Sequence, residues 1–146
     1  MNNGRCFVML VCLLLMGLSA GAQNPNYNNG PIWRVTYVHI NPGQGDAFWK
    51  DIHDNLKPIW DAEKQAGLIT DYKLYTNPTT ENADDWSIAI ATLYADWGGL
   101  DAIDSKAATV VTQHYGSRDA MMAAAKKRSE YGHVVASKLA REVMPK

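Results

Sequence analysis

Residues 33–69 read WRVTYVHINPGQGDAFWKDIHDNLKPIWDAEKQAGLI, and the architecture follows from this stretch. Its opening, Trp33 to Ile40, is β-branched and aromatic, which is the composition of a strand. Side chains alternate along a strand, so Trp33, Val35, Tyr37 and His39 share one face and Arg34, Thr36, Val38 and Ile40 the other. Both faces carry apolar residues, which predicts a central strand covered on both sides. Asn41-Pro42-Gly43-Gln44-Gly45 supplies a turn, and Asp46 stands where a helix N-cap is expected. Over 47–66, Phe48, Ile52, Leu56, Ile59 and Trp60 recur at helical spacing. Pro58 predicts a kink there, because it lacks an N–H and crowds the carbonyl four residues back. Gly67 suits the left-handed position that closes a helix.

Downstream, 68–76 (LITDYKLYT) and 86–94 (WSIAIATLY) read as strands joined by the polar loop NPTTENADD, an antiparallel hairpin with an exposed tip. Leu100, Ile103, Ala107, Val110, Val111 and His114 then mark one face of a helix ending at Gly116. Ser117 can cap a further helix in which Met121, Ala124, Ala125 and Arg128 share a side, ending at Gly132. The segment 133–144 fits both strand and helix periods. Its ASKLARE core favours helix, whereas topology favours a strand that completes a four-stranded antiparallel sheet, and strand is the reading taken.

Upstream lies a different kind of sequence. Arg5 precedes a 13-residue apolar run, Cys6 to Leu18, followed by Ala20 and Ala22 at signal-peptidase spacing. A spanning helix needs roughly 20 apolar residues, so 1–22 is read as a cleaved export signal. No lipoprotein-type cysteine follows the run. The expected destination is periplasmic or secreted, with no membrane attachment after signal removal. Removing 22 residues from 146 leaves 124, with neither Cys6 nor Cys12. The mature chain then has no disulfide, thiolate nucleophile or cysteine-ligated metal. Residues 23–31, QNPNYNNGP, read as a flexible lead-in, and 32–146 as one domain.

The chain carries 14 Lys+Arg against 15 Asp+Glu, without the basic stripe that nucleic-acid binding needs. There is no G-x-S-x-G, and Gly98-Gly99 is no phosphate loop. The four histidines, His39, His53, His114 and His133, fall on four different elements without an H-x-x-x-H or H-E-x-x-H pair. No metal is therefore expected, since only the fold could assemble a site.

The element order is that of the split βαβ, ferredoxin-like arrangement, α+β with an extra C-terminal helix. The strand, the Pro-Gly turn and the helix bearing Leu56-Lys57-Pro58-Ile59 resemble the dimeric α/β-barrel superfamily, in which two sheets face each other between subunits. The Thr36-Tyr37-Val38-His39 strand and the Lys57-Pro58-Ile59 helix ending at Gly67-Leu68 are also similar to a group of secreted bacterial proteins of unassigned role. The resemblance spans nearly the whole mature chain and implies a homodimer. Superfamily members include quinone-forming and haem-degrading monooxygenases and polyketide and lipid cyclases, so fold leaves the reaction open. Haem-degrading members use a histidine on the second helix, which His114 would match. The residues around it do not follow their Asn, Trp and His pattern.

Three readings follow. In the first, an aromatic pocket of Trp33, Tyr72, Tyr94 and Trp86, with Trp49, His53 and His114, holds a small apolar or aromatic molecule and needs no cofactor. In the second, His39 is a base and Tyr37, Tyr72 or Tyr94 stabilises an oxyanion, as in a cofactor-independent monooxygenase, cyclase or isomerase. In the third, His114 binds haem.

Overall fold

The computed structural model describes residues 26–146, so the export signal at 1–22 and residues 23–25 of the lead-in lie outside the described residues. The elements are β1 (Tyr27–Ile40), α1 (Gly45–Asp51), a π-helical turn (Ile52–Leu56), α2 (Lys57–Gln65), β2 (Asp71–Thr76), β3 (Ile88–Tyr94), α3 (Trp97–Tyr115), α4 (Arg118–Tyr131) and β4 (Gly132–Pro145). The strands form one sheet in the order β2-β3-β1-β4. Ile32 stands opposite Tyr94 and Val38 opposite Ile88, while Asp71 pairs with Leu93 and Thr76 with Ile88, both antiparallel. At one end of the β1–β4 pair the Asn41 N–H reaches the Tyr131 carbonyl at 2.8 Å, and at the other Arg141 Nε reaches Gly30 O at 3.4 Å. These contacts run in opposite directions along the two strands, so β4 is antiparallel too. At the described chain ends the Lys146 N–H donates to Asn26 O at 3.1 Å.

The expectation of a central first strand holds, with its start corrected. β1 begins at Tyr27 rather than near Ile32, so most of the expected lead-in is strand. The reason is distant in sequence: β4 supplies the pairing partner for residues whose local composition reads as a loop. The same pairing settles 133–144 as strand, in a 14-residue element that starts at Gly132. Gly132 is where β1 and β4 approach most tightly. A Cβ there would lie 2.3 Å from the His39 carbonyl oxygen, so no larger residue fits without moving a strand.

The first helical crossover differs from expectation in two places. Its N-cap is Gln44 rather than Asp46, which instead adds negative charge to the first turn, favourable at the positive end of the helix dipole. Pro58 does not simply kink a regular helix. The turn before it widens, and the Lys57 N–H bonds to Ile52 O five residues back. At the far end Gly67, at φ +69°, donates to Lys64 O, and Leu68 donates to Glu63 O, a Schellman closure. The hairpin strands are shorter than read: β2 starts at Asp71 and β3 at Ile88. Trp86 is held outside β3 because Asp85 Oδ1 accepts its N–H at 2.8 Å.

Helices cover one face of the sheet. Ile32 and Val38 of β1, Ile88 and Tyr94 of β3, Phe48, Ile52 and Trp60 of the first crossover, and Leu100 and Ile103 of α3 form the core there. Among the described residues no helix lies over the opposite face, which carries Trp33, Val35, Tyr37 and Leu93, and the sheet is not closed. Coverage of β1 on both sides is therefore not supplied by the described residues. Among the described residues no helix is long and apolar enough to cross a membrane.

Candidate functional site

On the helix-covered side a cleft of about 390 Å³ opens where α4 departs from the sheet. Thr36 and Val38 of β1 and Ile90 of β3 line it from the sheet; Phe48 and Leu56 line it from the first crossover. Ala125, Arg128 and Ser129 line it from α4, and His133 and Val134 from the start of β4. The volume falls within the range of small-molecule sites, roughly 300–1,000 Å³. The cleft lies beneath a helix that buries none of its own residues.

Arg128 is the charged group of this cleft. Its Nε donates to Asp51 Oδ2 at 2.5 Å and its Nη2 to the Tyr115 hydroxyl at 3.0 Å. Asn55 Nδ2 donates to the other Asp51 oxygen at 2.8 Å, so the carboxylate is satisfied on both sides. Burial alone would lower the Arg128 pKa, but the bonds to Asp51 and Tyr115 raise it above the ordinary guanidinium value. Arg128 is therefore charged throughout the physiological range. Two of the five guanidinium donors are used in these bonds. In the sequence Arg128 shares one helix side with Met121, Ala124 and Ala125, but beside Lys126 and Lys127 it reads as part of a solvated charged run.

The residues singled out from sequence are distributed over both sheet faces, and none of the nine lines this cleft. His39 and Tyr37 share the uncovered face, as their alternation requires. His39 Nδ1 donates to the Asp85 carbonyl at 2.7 Å, while Tyr37 packs edge-on against Trp86 with ring centres 5.3 Å apart. Trp33 donates to Glu142 Oε1 at 2.6 Å, and Lys73 Nζ lies 5.2 Å from the centre of its ring. Tyr72 and Tyr94 belong to the opposite face, away from His39. Tyr72 stacks on Trp60 at 5.2 Å and donates to Asp61 Oδ1 at 2.7 Å. Its pKa is raised by burial and by Asp61, so it serves as a hydrogen-bond donor rather than a base. Tyr94 is buried beneath the Arg34 guanidinium, its pKa raised chiefly by burial, with Glu63 and Asp104 adding to the effect.

The helix candidates sit near solvent. His53 is exposed and meets Asp54 Oδ1 at 2.8 Å; Trp49 is partly exposed and edge-on to Phe48. His114 is exposed as well, 3.2 Å from Asn55 Oδ1 and edge-on to Tyr115. It borders a separate groove between α2 and α3 with Pro58, Ile59 and Val110. Only the first half of the α3 stripe, Leu100 and Ile103, is buried.

A solved structure described as a dimeric ferredoxin-like protein from an uncultured marine organism superposes on this chain with a TM-score of 0.52. The two share 10% identity, and the match covers 79% of this chain and 88% of that one. The fold is ferredoxin-like. A second protein of the same description, also from an uncultured marine organism, matches at 12% identity and a TM-score of 0.43 over 82% of this chain and 96% of that one. No protein-family model and no curated protein matches the sequence.

Proposed function

We propose that this ferredoxin-like chain is an exported, homodimeric protein that binds a small, largely apolar or aromatic molecule in the cleft between α4 and the sheet. The observation that carries the reading is the cleft itself, walled by Val38, Phe48, Leu56 and Ile90 and bordered by the neutralised Arg128–Asp51 pair. Apolar walls supply the burial that drives binding, and a few fixed polar groups orient the ligand. Because Asp51 balances Arg128, the site favours a neutral ligand with an acceptor oxygen over an anion. The reading invokes no cofactor.

Two features support the dimer. The sheet face bearing Trp33, Val35, Tyr37 and Leu93 is largely apolar and these four side chains are only half-buried, and edge strand β4 exposes Val134, Val135 and Leu139. Long apolar edge strands ordinarily acquire a partner. The marine structure is described as dimeric, and a second copy is the simplest cover for such a face. Export is supported by the apolar run ending at Leu18 and by Ala20 and Ala22.

The test is titration with the fluorescent apolar probe N-phenyl-1-naphthylamine. Saturable binding with a blue-shifted emission is expected for the parent, with roughly tenfold loss or more when Ala125→Trp fills the cleft. Equal binding by both proteins would sink the assignment of the cleft. Light scattering should give twice the chain mass, and a monomer would overturn the dimer. Mass spectrometry of the exported protein should find Gln23 first; an uncut, cell-retained chain would overturn export.

A further inference from the structure

The four histidines are dispersed in sequence, but the fold brings two of them together. His39 near the end of β1 and His133 at the start of β4, 94 positions apart, have ring centres 5.2 Å apart with planes tilted by 40°. We propose that His39 and His133 form a two-histidine site for a divalent transition-metal ion of the Zn²⁺ class. Zn–N bonds of about 2.0–2.1 Å place two imidazole centres on one tetrahedral ion roughly 5 Å apart, which the observed spacing matches.

The protonation pattern of His39 suits it to this role. The Asp85 carbonyl can only accept, so Nδ1 of His39 carries the hydrogen of their 2.7 Å bond. In the neutral ring the lone pair then lies on Nε2. An imidazole whose second nitrogen donates to a carbonyl has the orientation and tautomer typical of metal-ligating histidines. His133 is exposed, and among the described residues its ring makes its contact with His39.

The backbone beneath the pair is also fixed. Asn41 bonds Tyr131 O through its N–H at 2.8 Å and Glu130 O through Nδ2 at 2.9 Å. Gly132 lets the strands approach more closely than any side chain would permit. The nearby Asp85 carboxylate is occupied by the N–H groups of Glu81 and Trp86 and by Asn77, so it is not counted as a ligand. Among the described residues no group of three or more potential metal ligands gathers, so the two histidines would be the protein ligands of the ion. His133 also borders the α4 cleft, but the ring pairing and the His39–Asp85 bond involve none of its other lining residues.

Calorimetric titration of the untagged protein with Zn²⁺ in a non-coordinating buffer tests the assignment. One ion per chain is expected, with affinity reduced roughly tenfold or more in either His39→Ala or His133→Ala, at least the loss a supporting partner of a metal ligand causes. His53→Ala and His114→Ala should bind as the parent does. Zinc should shift the ring NMR signals of His39 and His133 and no others. Should His39→Ala fail to fold by circular dichroism, the exposed His133→Ala variant and the ring signals decide. Absence of saturable binding, or His133→Ala binding like the parent, overturns the proposal.

Discussion

The two helical crossovers do the same topological job by different physical means. The first, Gly45 to Gln65, seats Phe48, Ile52, Ile59 and Trp60 in the core. In the second, α3 buries Leu100 and Ile103, but α4 buries nothing and leaves Met122 58% exposed. One crossover is anchored by a face. The end of the other is anchored by its termini: Ser117 Oγ accepts the Ala120 N–H at 3.1 Å, Arg128 pairs with Asp51, and Gly132 locks directly onto β1. An element held at a few polar points leaves unfilled space beneath it, and that space is the cleft.

Substitutions can break or sharpen this contrast. The largest loss is expected from Trp60→Ala, which should cost about 3–5 kcal/mol in denaturant unfolding; Met121→Ala on α4 should cost well under half as much. If the two proved equal, the contrast would be false. Next is Gly132→Ala. The added methyl collides with the His39 carbonyl, and about 1–3 kcal/mol should be lost through strand displacement, with altered amide shifts along β1 and β4. Arg128→Met leaves Asp51 without its cation. Because the arginine side chain is 27% exposed, the cost is put at about 1–3 kcal/mol, below the loss typical of a fully buried pair. The same variant should change probe affinity, which Ser117→Ala should leave unaltered. That cap loss should cost about 1 kcal/mol.

The smallest effect concerns pH and lies in the first crossover. Burial raises the Glu63 pKa in the folded chain above its ordinary 4.5, so the folded state holds this proton where the unfolded chain has released it. The resulting stabilisation is complete below pH 4.5 and is lost as pH rises through the raised value. Glu63→Gln should therefore gain stability relative to the parent as pH increases across that window. Parallel denaturation curves at pH 4.5 and 7 check it, and a difference that shrinks with pH would contradict the sign.

Much of this frame was legible in the sequence. The alternation of Trp33 to Ile40 sorted the two sheet faces correctly, since Val38 is core and Tyr37 is not, and the period of Phe48, Ile52, Ile59 and Trp60 marked residues that are buried. Those patterns are local, and burial selects them directly. Tyr27–Pro31 were illegible because their strand character is conferred by β4. Arg128 was hidden by two neighbouring lysines, its partner Asp51 being 77 positions away. The aromatic and histidine candidates were identified by type, but residue type does not say which of them share a face once strands pair.

The sequence alone therefore determined the first crossover, the hairpin and the faces of β1, because side-chain periodicity is written into consecutive residues, whereas the strand at 132–145 and the start of β1 awaited their pairing. The tertiary structure decided what meets across long separations: Arg128 with Asp51, His39 with His133, and the cleft under α4. Such pairings depend on how strands align and how closely helices pack, and the spacing of residues along one element does not encode either.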